Sequence, residues 1–249
     1  MIELSYEGDI AVLRMAHGKA NALDTKFMLE LTDALDQIAR SEAGGLVLTA
    51  GGGVFSAGVD LFQLMNGGRA YVAEFLPRMS QGFRALFDFP KPAVAAVNGH
   101  AIAGGMILAC ACDYRVMAEG ARIGIPELRV GVPFPLTALE IVRYALRPDV
   151  AQEAVLFGKV LEARAAQAEG YVHEAVAPAD VLPRALDRAR HLASAPAASF
   201  RKAKQDLRRP TAELLDRTMA TSDHNLVDAW ASPPVQNAIR AYVEQTIKK

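Results

Sequence analysis

Apolar and polar residues alternate on either side of Gly8-Asp9 between Ile2 and Met15, which predicts a two-stranded hairpin. An irregular run follows, His17-Gly18-Lys19-Ala20-Asn21-Ala22-Leu23. The period then changes: Phe27, Leu31, Leu35 and Ile38 recur at helical spacing, and Asp24 stands where an N-cap belongs. Gly44-Gly45 breaks this helix, and Leu46-Val47-Leu48-Thr49 reads as a short buried strand. Beyond the turn Gly51-Gly52-Gly53 the chain is amphipathic as far as Asp88. Pro90 and Pro92 introduce another buried strand, Ala93 to Val97, and Asn98-Gly99 marks a turn. Gly104-Gly105 opens a very apolar helix through Cys112, and Tyr114-Arg115-Val116-Met117 is a further strand.

This alternation of strands and helices argues for an α/β domain with largely parallel strands. From about Leu136 the pattern reads as helical throughout, punctuated by Gly158 and Gly170, with a short extended piece ended by Pro178. Val181, Leu182, Ala185, Leu186, Ala189 and Leu192 form one apolar stripe, the mark of a helix lying on a core or a partner. The expected division is a core over residues 1–195 and an all-helical appendage over 196–249, a packing or assembly element.

Composition narrows the function classes. Of the 249 residues, 51% are hydrophobic and 22% charged, and 27 Lys and Arg nearly balance 28 Asp and Glu. No basic footprint for a nucleic-acid backbone is present. The longest apolar stretch, Ala101 to Cys112, falls short of the roughly 20 residues of a membrane span. The opening Met1-Ile2-Glu3-Leu4-Ser5 has neither a secretory nor a transit pattern. The two cysteines, Cys110 and Cys112, point to different sides of a helix and read as small buried hydrophobes, so the expected setting is reducing and cytoplasmic. Their spacing offers no metal site, because no second ligand pair follows.

Three loops can carry chemistry, and each follows the C-terminal end of a predicted strand, where open α/β sheets hold ligands. The first, Gly53 to Asp60, resembles half a P-loop, but Val59-Asp60 replaces the Lys-Ser/Thr that phosphate binding needs. It reads equally as a turn starting a helix, with Asp60 near the cap. The second, Asn98 to Gly105, puts glycines at a helix start, either for close helix–sheet packing or to expose backbone N–H groups to a ligand. Two such loops, each giving one N–H to a single oxygen, make an oxyanion hole. The third, Ile123 to Val132, holds Glu127 as the lone carboxylate among aliphatic neighbours. Most glutamates are solvated surface residues, yet a desolvated one has the raised pKa of a base working near neutrality. His100 reads as a ligand or base, or as a turn histidine bonded to backbone.

Together these segments resemble the enoyl-CoA hydratase/isomerase (crotonase) superfamily. The resemblance is carried by Lys19-Ala20-Asn21-Ala22-Leu23, Phe55-Ser56-Ala57-Gly58-Val59-Asp60-Leu61, Pro92 to Gly99, Ala103-Gly104-Gly105, Cys112-Asp113-Tyr114-Arg115 and Pro126-Glu127, in this order over nearly the whole chain. It implies an α/β fold, a spiral of ββα units with a helical C-terminal region for trimerisation, assembled as a homotrimer or dimer of trimers. It implies an acyl-CoA thioester as substrate, with coenzyme A arriving as part of that substrate and no separate cofactor or metal. The oxyanion N–H groups would belong to Val59 and Gly104, and Glu127 would be the catalytic carboxylate. Lys19, Ala20, Ala57, Asp60 and Leu61 would line the path of the CoA moiety.

The family's hydratases carry a second glutamate three residues after the position of Gly104, and here that residue is Ile107. Hydration needs a water held between two carboxylates. A 1,3 double-bond shift needs only one, which removes a proton at C2 of a 3-enoyl thioester and returns it at C4. The resemblance therefore points to the Δ3,Δ2-enoyl-CoA isomerase branch. The alternatives are slow hydration, thioester hydrolysis or decarboxylation through the same enolate, and a CoA-ester-binding protein without turnover. Residues between about Met65 and Phe87 read as walls of an acyl pocket or as plain core.

Overall fold

The computed structural model describes residues 1–246. In chain order its elements are β1 (Ile2–Glu7), β2 (Ile10–Met15), α1 (Thr25–Arg40), β3 (Gly45–Ala50), β4 (Val54–Ser56), α2 (Leu61–Phe87), β5 (Ala93–Val97), β6 (His100–Ile102) and α3 (Gly104–Ala111). There follow β7 (Tyr114–Ala118), β8 (Arg122–Gly124), the single turn α4 (Glu127–Val130), α5 (Leu136–Ala145), α6 (Pro148–Leu156), β9 (Val160–Glu162), α7 (Ala163–Glu169) and β10 (Glu174–Val176). Three helices close the chain: α8 (Val181–Ala193), α9 (Ala197–Ala231) and α10 (Pro233–Thr246).

The strands form two sheets. Six lie in the order β1-β2-β3-β5-β7-β10, with β1 antiparallel to β2 as the alternating pattern predicted and the remaining pairs parallel. The other four lie in the order β4-β6-β8-β9, parallel except for β8 and β9. Each of the pairs β3-β4, β5-β6 and β7-β8 thus gives one strand to each sheet before the next helix. This is the ββα spiral that the resemblance implies, and it corrects the simpler picture of one open sheet. The three-residue strands β4, β6 and β8 fall inside segments that read as loops, being too short to show a period. Likewise β9 interrupts the region beyond Leu136 that reads as helical, whereas β10 is the short extended piece read before Pro178.

The core sits between the main sheet and its helices. In α1, Phe27, Leu31, Leu35 and Ile38 are all buried, and the Asp24 carboxylate accepts the Phe27 N–H at 2.7 Å, the cap that the sequence predicted. All eight residues of α3 are buried, which explains why that helix is apolar on every side. Cys110 and Cys112 are buried free thiols, and burial pushes the Cys112 thiol up to about 12. The stripe on α8 packs across β3, β5 and β7. α2 is broken at Gly68, whose φ of 57° and ψ of −153° suit only glycine. Among the described residues no helix is long and apolar enough to cross a membrane.

The helical appendage is held on by charge. Asp113 at the head of β7 accepts from Lys204 Nζ and from Arg208 Nη2, both at 2.7 Å, and both cations are buried. The Arg208 guanidinium also lies 4.2 Å from the centroid of the Phe87 ring. The Cys-Asp-Tyr-Arg segment therefore clamps α9 to the sheet. The last three residues of the 196–249 region lie outside the described residues.

Candidate active site

The irregular run before α1 is laced to β4 by Asn21. Its side chain accepts the His17 N–H at 2.8 Å and donates to the Val54 carbonyl at 2.8 Å, and the residue takes a left-handed φ of 45°, which asparagine tolerates. The Ser56 hydroxyl donates to the Asn21 carbonyl, and the Ala57 N–H to the Ala20 carbonyl. Leu23 then pairs with the next loop: its N–H donates to the Gly58 carbonyl at 2.8 Å and its carbonyl accepts the Asp60 N–H at 2.9 Å. This bridge turns the Val59 N–H to the other side, where among the described residues it has no protein acceptor. Asp60 caps α2, accepting from the Phe62 and Gln63 N–H groups at 3.0 Å.

The second loop approaches the first at Gly58 and Ala103. A Cβ on Gly58 would stand 2.6 Å from that of Ala103 and 3.0 Å from the Gly104 nitrogen, so the two loops are in contact. Gly104 begins α3, and its N–H is one of those a helix leaves unpaired. Ala103 just before it holds φ 55° and ψ −126°, a strained conformation for any residue with a side chain, of order 1–3 kcal/mol. Close packing operates here as well: a Cβ on Gly105 would meet the Ser56 carbonyl oxygen at 2.3 Å. The close-packing reading of the glycine pair therefore holds. His100 accepts the Arg122 N–H through Nδ1 at 3.0 Å, the backbone-bonded role.

Glu127 opens the one-turn helix α4, which ends on Gly131 in the left-handed conformation. The residue as a whole is half-buried, but its Oε2 is sealed from solvent and has no hydrogen-bond partner. Burial without a compensating donor pushes its carboxyl up to about 8, opposed only by its own backbone N–H. A carboxylate this basic can take a proton from a weak carbon acid near neutral pH.

These elements meet around one cavity of about 700 Å³ including its open mouth. Ala57, Val59, Leu61, Gly104, Ile107 and Glu127 all lie in its wall. Lys19 stands exposed in the turn before α1, and Ala20 and Asp60 lie outside the wall beside it. Met79 and Phe83 of α2 line the cavity, and with Phe75, Leu76 and Leu86 they also belong to the core. Sequence reasoning missed the contribution of the last helices. Trp230 of α9 and Tyr242 of α10 complete the wall, and the Trp230 indole donates to the Pro133 carbonyl at 2.9 Å. No local signal marks them, because they lie about a hundred residues beyond Glu127 in the chain.

The enoyl-CoA hydratase/isomerase family profile matches residues 5–248. A putative enoyl-CoA hydratase of Thermus thermophilus is 35% identical over 235 residues, covering 91% of both chains. The chain belongs to the enoyl-CoA hydratase/isomerase family. It is accordingly an enzyme of an acyl-CoA-processing family. Two solved structures of family members align along almost the whole chain. A Mycobacterium tuberculosis protein, described as an enoyl-CoA isomerase in one solved structure and as a probable enoyl-CoA hydratase in another, is 31% identical in the first with a TM-score of 0.80, covering 93% of this chain and 98% of its own. The human mitochondrial Δ3,Δ2-enoyl-CoA isomerase has a TM-score of 0.95 at 24% identity, covering 99% and 98%, and shows the shared fold. Hydratase and isomerase names thus both occur among these relatives.

Proposed function

We propose that this chain is a Δ3,Δ2-enoyl-CoA isomerase in which Glu127 alone shuttles the proton. The observation that carries the reading is the carboxyl inventory of the cavity. Among the described residues Glu127 is the only carboxylate in the wall, and the position where the family's hydratases hold their second glutamate is the buried, aliphatic Ile107. An apolar side chain there neither holds nor activates a water.

The thioester carbonyl of a 3-enoyl-CoA would accept from the Val59 and Gly104 N–H groups. Glu127 takes a proton from C2, the electrons move into the conjugated dienolate, and the charge rests on the thioester oxygen. Each backbone donor stabilises that oxygen by about 3 kcal/mol. The protonated Glu127 then delivers its proton to C4, leaving the double bond between C2 and C3 and the carboxylate ready for another turnover. No water is consumed and no electrons are exchanged. The apolar wall keeps water away from the dienolate and keeps Glu127 basic. Lys19, Ala20, Ala57, Asp60 and Leu61 are proposed to guide the CoA moiety, and the working assembly is proposed to be a homotrimer or a dimer of trimers.

A product screen tests the reading. The purified protein, incubated with 3-hexenoyl-CoA and with crotonyl-CoA, should convert the former to its 2-enoyl isomer and leave the latter unhydrated. Rapid hydration of crotonyl-CoA with no isomerisation would overturn the assignment in favour of a hydratase.

A further inference from the structure

Among the described residues only three side chains in the cavity wall carry a nitrogen or an oxygen: Glu127, Trp230 and Tyr242. The Trp230 N–H is committed to the Pro133 carbonyl. Tyr242 differs. It is half-buried, its hydroxyl has no protein partner among the described residues, and it is not sealed off as the Tyr71 and Tyr171 hydroxyls are. Its approach is set by α10, which packs on α4: a Cβ on Gly131 would stand 3.1 Å from that of Ala238. Ala238 and Tyr242 are four residues apart and share one helix face. Tyr242 therefore lines the cavity from the side of the Glu127 turn.

A plain hydrocarbon chain filling this cavity would strip water from the phenol and leave it unpaired, whereas an oxygen on the chain would satisfy it. We propose that Tyr242 is a specificity-determining residue that hydrogen-bonds an oxygen on the acyl chain beyond the thioester, so that the enzyme favours hydroxy- or oxo-acyl-CoA esters over unsubstituted ones. The inference rests on the acyl-CoA reading of the site but not on which bond rearranges. The phenol both donates and accepts, so either a hydroxyl or a carbonyl oxygen satisfies it.

The chain's single tryptophan, Trp230, lies in the same wall and reports acyl occupancy by its fluorescence. The full-length protein and Tyr242→Phe would each be titrated calorimetrically with hexanoyl-CoA and with 4-, 5- and 6-hydroxyhexanoyl-CoA, with tryptophan emission followed in parallel. At least one hydroxy ester should bind the parent about fivefold more tightly than hexanoyl-CoA, and Tyr242→Phe should erase that advantage, losing affinity for that hydroxy ester while binding hexanoyl-CoA at least as tightly as the parent does. Weaker binding of every hydroxy ester by the parent would overturn the proposal, as would equal weakening of all ligands in the variant. Should 3-hexenoyl-CoA go unisomerised while the Tyr242-dependent preference persists, the isomerase reading falls and this one stands. Absence of any acyl-CoA binding overturns both.

Discussion

Gly58 and Ala103 touch so closely that a β-carbon on the glycine would sit 2.6 Å from that of the alanine. This contact brings the loop carrying the Val59 N–H against the loop carrying the Gly104 N–H. Gly58 also holds φ at 86°, where a side chain is strained regardless of space. Gly58→Ala should therefore push the two donors apart. We expect a loss of about 100-fold in kcat/KM, the effect of removing one oxyanion donor, with a destabilisation of about 1–3 kcal/mol. Steady-state kinetics and urea unfolding on the same preparation read both numbers, and unchanged kinetics would mean that the contact does not set the donors' positions.

Ile107 is buried in the wall beside Glu127. Ile107→Glu should bring a second carboxyl into the cavity and raise both groups' pKa values, since two carboxylates in one dry site resist joint ionisation. The expected variant is less stable by roughly 3 kcal/mol and hydrates crotonyl-CoA, which the parent should leave unhydrated. A folded variant with no hydration at all would show that a second carboxyl is not what the parent lacks.

Much of this was legible in the sequence because periodicity reports one-sided burial. Phe27, Leu31, Leu35 and Ile38 placed α1, and Ala93 to Val97 placed a buried strand. The carboxylate Glu127 stood out because its neighbours are aliphatic. What escaped were relations with no local period. The three-residue strands β4, β6 and β8 are too short to alternate, so the second sheet was hidden in apparent loops. Trp230 and Tyr242 reach the cavity only because α9 and α10 fold back over α2 and α4. The strain at Ala103 is also silent in the residue letters.

Asp113 compensates two buried cations at once, Lys204 and Arg208, and also accepts the Ala93 N–H at 2.8 Å. Asp113→Ala leaves both charges buried without their partner, and breaking such a site by removing one member costs about 3–5 kcal/mol. Chemical denaturation should show a loss of that size. Because α9 carries Trp230, the tryptophan emission should also shift toward that of an exposed indole before global unfolding. A variant as stable as the parent would contradict the clamp.

Asp223 of α9 is buried against α2, where one carboxyl oxygen accepts the Ser80 hydroxyl at 3.0 Å and the other has no partner. Burial pushes its pKa up to about 6, above its unfolded value near 3.9. The folded chain thus binds more protons than the unfolded one between these values. The contribution of Asp223 is most favourable below about pH 4, declines as pH rises to about 6, and is level above that. Asp223→Asn should gain about 2 kcal/mol relative to the parent between pH 4.5 and pH 7.5 in urea unfolding. Parallel stability curves for the two proteins would contradict the assignment.

The carboxyl of Glu127 carries the central claim, and its raised pKa of about 8 fixes a pH signature. The carboxylate is the active form, so kcat/KM for 3-hexenoyl-CoA should rise with pH and level off above about pH 8. The most direct measurement is the rate of 3-hexenoyl-CoA isomerisation by Glu127→Gln, which keeps the shape of the side chain and removes the base. The account predicts a fall of at least about 100-fold, with the ester still bound and no residual pH dependence near 8. A Glu127→Gln protein that isomerises 3-hexenoyl-CoA at the parent rate would contradict it.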